Sequence, residues 1–301
     1  MKYAIRYINT FKYYSEIDEV IFDYKEEGNL IEVVTKLLSN ENQKATIDLS
    51  HLNEIENAVS ALNELKQEHE NIMAQIDFYK QRDYIELLKD NQIPFMFSNF
   101  AKDFSTVAAM RLAGAEEVYI VEDLGFHMLD FENLRKGGLR IRVIPNIAQC
   151  PPATQYYLPE ITKFWIRPED IEVYKNNVDV CELYPMGEQI SVVYEIYKKE
   201  QWLGNLSDII LDFNDNIPNT GIPPHFGSCR LNCKKQCIYK TCNICTEISQ
   251  LAPKFKDSGL EVIKKRKKKK IDVDIKQQKI NELKERGKDL INELEINEED
   301  L

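Results

Sequence analysis

Short runs of apolar residues alternate with amphipathic stretches through the first ~200 residues, and the two periods predict strands and helices in turn. Lys2–Ile8 (KYAIRYI) and Glu19–Tyr24 read as strands, and Leu30–Leu38 as a helix before the strand Ala45–Leu49. Leu52, Ile55, Val59, Leu62 and Leu65 then recur at helical spacing with polar residues between them, the pattern of a helix that covers one face of a sheet. Ile72–Phe78, a helix around Tyr84–Leu88 and the strand Pro94–Ser98 continue the alternation. Phe104, Val107, Ala108 and Leu112 form a stripe that stops at Gly114, a residue suited to ending a helix. Val118–Val121 is apolar throughout, as expected of a strand covered on both faces. Leu139–Ile144 (closed by Pro145), Phe164–Ile166 and Val178–Leu183 are further strands, and the helix Gln189–Lys199 ends the regular region.

That makes eight or nine strands, most separated by a helix. Such alternation implies parallel pairing through right-handed crossovers. A (β/α)8 TIM-type barrel accommodates this many units more economically than a doubly wound sheet, the alternative. No Gly-rich phosphate loop of either common spacing is present, which counts against the nucleotide-binding doubly wound folds.

In a barrel, chemistry gathers where strands end. The predicted ring is Asp48, Ser98, Asn99, Glu122, Asp123, Asn146, Gln149, Arg167 and Glu182. Of these, Glu122, Asp123, Asn146, Gln149, Arg167 and Glu182 are the candidate catalytic set. Glu122 and Asp123 follow an apolar strand directly, so at least one carboxylate is expected at the mouth as a general base or ligand; a helix cap or loop ion pair is the alternative. Asn146 and Gln149 suit the orienting of a substrate, or equally the satisfaction of loop backbone groups.

The chain of 301 residues is 43% hydrophobic and 10% aromatic, enough for one large domain or two ordinary ones. No run reaches membrane-spanning length, so no membrane segment is expected. The net charge of −11 is uneven: residues 261–301 hold twelve Lys or Arg against eleven Asp or Glu, or +1, which leaves −12 for the remaining 260. An acidic body disfavours non-specific nucleic-acid binding, so any such contact falls to a local patch. Lys264–Lys270 (KKRKKKK) is such a patch, read as a solvated linker, an RNA contact or a site for an acidic protein. Beyond it Ile280, Leu283, Leu290, Ile291 and Leu294 mark an amphipathic helix over 275–296, a docking face for a protein partner. The expected organisation is therefore a barrel over 1–205, a cysteine-rich region over 206–253 and a tail over 254–301.

Five of the seven cysteines, Cys229, Cys233, Cys237, Cys242 and Cys245, fall within seventeen positions, at intervals of four, four, five and three. Thiolates at this spacing on a turn-rich loop can converge on one soft metal centre, and both tetrahedral zinc and iron–sulfur clusters take four such ligands. The opening MKYAIRYINTFKYY lacks a signal-peptide core, which points to a reducing cytoplasmic setting where clustered cysteines are ligands rather than disulfides. His225, four residues before Cys229, is an additional candidate ligand. Cys150 and Cys181 stand apart from the cluster. No motif couples a cysteine to a histidine for nucleophilic catalysis, and there is no His-Glu-x-x-His zinc motif.

Four stretches resemble the collagenase-like peptidase family (unclassified-peptidase family 32): GAEEVYIVEDLGF (Gly114–Phe126), LRIRVIPNIAQ (Leu139–Gln149), FWIRPEDIEVY (Phe164–Tyr174) and GSCRLNC (Gly227–Cys233). The resemblance covers roughly residues 90–235. It implies a barrel and, as in the hydroxylase members of that family, a [4Fe–4S] cluster held in part by Cys229 and Cys233. It also implies modification of a nucleic-acid base or small aromatic; KKRKKKK is the segment expected to recruit RNA, and the lack of a recognisable nucleophile or zinc-protease motif counts against proteolysis. Where the family carries Glu-x-Phe-x-His-Gly, this chain reads VCELYPM over Val180–Met186: Glu182 stands for the acidic residue and the histidine is absent. A non-catalytic protein with a structural zinc site and a partner-binding tail is the competing reading.

Overall fold

The short apolar runs form eight strands, most of them buried on both faces: β1 (Lys2–Arg6), β2 (Glu19–Asp23), β3 (Lys44–Asp48), β4 (Ile72–Ile76), β5 (Phe95–Ala101), β6 (Glu117–Ile120), β7 (Arg140–Val143) and β8 (Val180–Leu183). Each pairs in parallel with the next, and β8 returns to β1 through Lys2↔Val180 and Ala4↔Glu182, so the sheet closes. The computed structural model describes residues 1–25, 29–38, 42–101, 103–120, 128–148, 164–213, 217–231 and 248. The chain divides into two compact units, Met1–Ser249 and Gln250–Leu301, and the barrel belongs to the first. The (β/α)8 barrel expected from the alternation is the fold.

Helices α1 (Leu30–Leu37), α2 (Glu56–Glu68), α3 (Ile85–Asp90), α4 (Phe104–Ala113), α5 (Met128–Lys136), α6 (Ile171–Tyr174) and α7 (Ile190–Lys199) follow β2 to β8 in order. Their limits are set locally. The Asn29 side chain accepts the Glu32 N–H at the start of α1, and Asp103 accepts the Thr106 N–H (2.7 Å) at the start of α4. Gly114 ends α4 at φ +105°, a conformation that favours glycine. Only a 3-10 turn (Tyr14–Glu16) links β1 to β2. Phe11, Tyr13 and Tyr3 cover that gap by packing against Tyr194 of α7 at centroid distances of 5.6–5.9 Å.

Outward-facing strand residues and the inner faces of the helices make one apolar shell, including Ile47, Ile76, Phe97, Val118, Ile141 and Leu183 with Leu62, Leu65, Val107 and Tyr197. Among the described residues no helix is long and apolar enough to cross a membrane.

One predicted strand is corrected. Phe164–Ile166 is extended but is not a ninth barrel strand. Ile166 donates its N–H to Pro145 O (3.0 Å) just past the end of β7. Trp165 lies against Phe213 and Phe226, at 5.3 and 5.5 Å between centroids. The run is apolar because the chain after α7 folds back over it. That returning chain bonds to the β7 exit through Leu211 N–H to Asn146 O and Ala148 N–H to Leu211 O, both 2.8 Å, and then forms α8 (Phe226–Leu231).

Candidate functional site

Side chains alternate across a strand, so every second residue of a closed barrel points into its lumen. The register aligns these residues around the ring: Ala4 with Glu19, Glu19 with Lys44, Asp48 with Gln75, Glu117 with Arg140, Tyr119 with Arg142, and Ala4 with Glu182. The lumen is therefore not the apolar plug usual in this architecture. One sector holds Met73, Met96, Tyr119 and Ile144, a second small apolar cluster is Ala4, Ile21 and Val180, and charged and polar side chains fill the rest.

Arg142, fully buried on β7, is the hub. Its Nη2 reaches across the barrel to Glu19 Oε1 (2.6 Å), its Nη1 donates to Glu182 Oε2 (3.1 Å) on β8, and its Nε donates to Glu117 on β6. Towards the strand starts, Lys44 lies 3.4 Å from both Glu19 and Glu117, and Arg140 lies 3.3 Å from Glu117. Towards the strand ends, Arg6 donates to Asp48 (2.7 Å) and Asp23 (3.0 Å) and lies 3.6 Å from Glu182. The Tyr119 hydroxyl donates to Glu182, and the Thr46 hydroxyl to Glu19 (2.5 Å).

Four buried carboxylates (Glu19, Glu117, Glu182, Asp48) thus face four cations (Arg6, Lys44, Arg140, Arg142). Desolvating one unpaired charge is costly by several kcal/mol, on the order of what a whole domain has to spare, so balance is a condition of folding. Burial opposes the charge on Glu19, but Arg142 and Lys44 outweigh it and hold the carboxyl at about 2. Burial likewise opposes the charge on Arg142, and Glu117 and Glu19 more than restore it, so the guanidinium stays protonated. Burial, with the Glu182 charge beside it, raises Tyr119 well above an ordinary phenol, which keeps it a hydrogen-bond donor.

The network meets solvent at the strand ends. The Arg6 side chain is 25% exposed and Asp23 59%, whereas Glu182 is 1% exposed. Gln75, one strand from Asp48, is buried in the same layer, and its Oε1 has no hydrogen-bond partner among the described residues. The sheet register also shifts in β5 between Met96 and Phe100, a bulge of the kind that re-aims side chains beside functional sites. It places the Phe100 ring 5.3 Å from that of Tyr119. Chemically, the mouth offers a guanidinium held in place by carboxylates and an aromatic wall at Phe100, with the Tyr119 phenol spent on Glu182 and the Gln75 amide buried beneath.

The sequence-predicted residues divide into three groups. Glu182 and Asp48 lie in the network. Asn99, Asn146 and Arg167 are spent on the scaffold. Asn99 accepts the Phe78 N–H (2.6 Å), and Asn146 exchanges two bonds with the Tyr184 backbone (2.7 and 2.9 Å), which clamps the ends of β7 and β8. Arg167 grips Asp170 with two bonds (2.6 and 2.7 Å) and donates to Ile222 O and Pro223 O, which ties down the lead-in to α8. Glu122, Asp123 and Gln149 lie outside the described residues, as do Cys233, Cys237, Cys242 and Cys245.

Cys229 is half-buried on α8, one turn after His225, whose carbonyl accepts the Cys229 N–H (3.0 Å). The helix is pinned to the barrel. Arg230 donates to Trp165 O (3.1 Å) and stacks over both Trp165 and Phe226. A Cβ on Gly227 would fall 2.6 Å from the Asp170 side chain, so only glycine allows this approach. Cys181, by contrast, faces the apolar shell, where burial pushes its thiol up to about 12, the opposite of what a thiolate ligand needs. Among the described residues no group of three His, Cys, Asp or Glu is placed to hold a metal ion.

Sequence reasoning missed Arg142, Glu19, Glu117, Arg6, Tyr119 and Gln75. The usable signal was the charged residue at alternate positions of EVIFD, KATID and RIRV. In a barrel clad in helices those positions have only the lumen to point into.

No protein-family model matches the chain, and no curated protein matches it. Solved barrels are similar in outline. The thiamine phosphate pyrophosphorylase of Pyrococcus furiosus is 10% identical over 66% of this chain and 96% of its own, with a TM-score of 0.37. The 3-keto-L-gulonate-6-phosphate decarboxylase of Vibrio cholerae O1 biovar El Tor is 11% identical over 67% and 99%, with a TM-score of 0.35. Likeness this slight brings no activity or site residue to the chain. The class, a TIM-type barrel, rests on its own strand pairing.

Proposed function

We propose that this is a family-32-peptidase-like barrel protein that carries a Cys-ligated iron–sulfur cluster and modifies a nucleic-acid base or small aromatic compound at the barrel mouth. The observation that carries the reading is Cys229 on a helix fastened to the strand-end side of β7. Arg230 and Arg167 hold that region to backbone carbonyls of neighbouring segments. The donor set fits the group: five thiols within seventeen positions, four of them enough for a cubane cluster or a tetrahedral zinc. Four of Cys229, Cys233, Cys237, Cys242 and Cys245 would hold it, with His225 just before α8 as a further candidate ligand. When bound, a [4Fe–4S] group supplies one-electron redox chemistry.

The chain's own residues do the rest. Arg6, fixed by Asp48 and Asp23, presents a cation to a polar substrate group. Glu182 steadies Arg6 from below, and the half-buried Phe100 ring, backed by the buried Tyr119, offers an aromatic wall to a ring. The sheet's bulge and the Tyr119–Glu182 hydrogen bond keep that wall in place. Lys264–Lys270 would recruit RNA.

Iron, sulfide and zinc analysis with an absorption spectrum, on full-length protein purified without oxygen, tests this. About four irons with matching sulfide are expected, lost in Cys229→Ala and Cys233→Ala while the barrel still folds. One zinc, with loss of folding in the same variants, would instead support a structural site, since a structural metal contributes directly to stability. RNA binding that keeps its affinity and salt dependence after truncation at Ser258 would remove the recruitment role from the tail.

A further inference from the structure

A cleft of about 310 Å3 opens at the barrel rim, between the loops that follow β1 and β2 and the first turns of α1. Its volume is at the small end of ligand sites, suited to a compact metabolite rather than to a polymer segment. The floor is aromatic: Tyr7 is 37% exposed and stacks on the buried Phe22 at 5.6 Å and 28°. Leu30 and Val33 of α1 form the facing apolar wall. The polar part of the lining includes Asp23 and Lys25, one of each sign.

From this lining we infer a second binding site, for a small zwitterion with an apolar side chain, that is, a free α-amino acid. The argument runs through charge. Asp23 gives Oδ1 to Arg6 (3.0 Å), which leaves Oδ2 for an incoming ammonium. Lys25 then receives the carboxylate, and the side chain lies on Tyr7 between Leu30 and Val33. Asp23 and Lys25 sum to zero, and so do Arg6 and Asp48 behind them, paired at 2.7 Å. A ligand with net charge gains at one group and loses at the other. A ligand carrying both charges gains twice, and it buries its apolar part as well. Asp23 also joins the cleft to the mouth, since the Arg6 it holds is the residue that Asp48 and Glu182 orient. The site needs no cluster, so it stands apart from the iron–sulfur reading.

Calorimetric titration of the full chain with L-phenylalanine, phenethylamine and hydrocinnamate tests it, because the last two each lack one charge of the first. L-phenylalanine is expected to bind at least about tenfold more tightly than either, the loss of one charge-assisted bond. Asp23→Asn and Lys25→Met should each weaken L-phenylalanine by about tenfold, whereas Asp23→Asn should bind the anion hydrocinnamate at least as tightly as the parent does. Tyr7→Ala should weaken all three. Thermal melts check that the variants fold; should Asp23→Asn unfold through loss of its Arg6 contact, Lys25→Met on the exposed loop decides the matter. Absence of L-phenylalanine binding at millimolar concentration overturns the proposal. So does equal binding of the three probes, or indifference of L-phenylalanine to Lys25→Met.

Discussion

The two sides of the sheet are built on opposite principles. Outside, Ile141 and Val143 of β7 join an apolar shell that tolerates repacking because dispersion and burial are not directional. Inside, Arg142 on the same strand has three carboxylate partners on three other strands, and each bond has a direction. The shell stabilises any sequence of suitable volume and pattern. The lumen specifies one arrangement, and removal of a single member leaves charges with nowhere to go. The barrel mouth follows the second kind of construction: Arg6 is held there by Asp23, Asp48 and Glu182 rather than by packing.

Substitutions on neighbouring positions of β7 and β6 separate the two principles. Arg142→Leu strands Glu19, Glu117 and Glu182 in the lumen and should reduce stability by ~3–5 kcal/mol in urea titrations. Should the variant be as stable as the parent, the ionic lumen is not what holds the barrel in register. Tyr119→Phe keeps the ring and deletes one bond to a charged acceptor, so a loss of ~1.5–3 kcal/mol is expected from the same titration. Ile141→Val, one residue from Arg142 but facing the shell, removes one methylene and should lower stability by ~0.5–1.5 kcal/mol. Its effect should be equal at neutral and acid pH, whereas that of Arg142→Leu should shrink as the carboxylates protonate.

This contrast also explains what was legible in the sequence. The shell could be read. Strand and helix periods, Gly114 as a helix stop and Pro145 as a strand stop gave the barrel and most element positions. Phe164–Ile166 was misjudged because an apolar run signals a covered segment without saying what covers it. Here the cover is Phe213 and Phe226, nearly fifty residues or more downstream. The site was read only in part. Charged residues such as Glu19 and Arg142 look solvent-facing until closure of the sheet turns their face inward. Asn146 does lie just past the end of β7, whereas Arg167 follows the extended Phe164–Ile166 rather than a barrel strand; backbone groups in need of partners claimed both. Glu182 was found for its position, and its connection to Tyr119, Arg142 and Arg6 depends on residues up to 176 positions away in sequence.

The lumen's carboxylates can be tested through their protons. Glu19 is held at about 2 in the folded barrel against 4.5 when free. Its folded value is depressed, so its contribution to stability is complete above about 4.5 and is lost as the pH falls towards 2. The decisive measurement is the urea midpoint of the parent and of Glu19→Gln at a series of pH values across that window. A steep loss in the parent and a distinctly shallower one in Glu19→Gln would establish that the carboxylate is charged and partnered inside the barrel. Parallel curves would contradict the ionic lumen and, with it, the support on which the mouth is built.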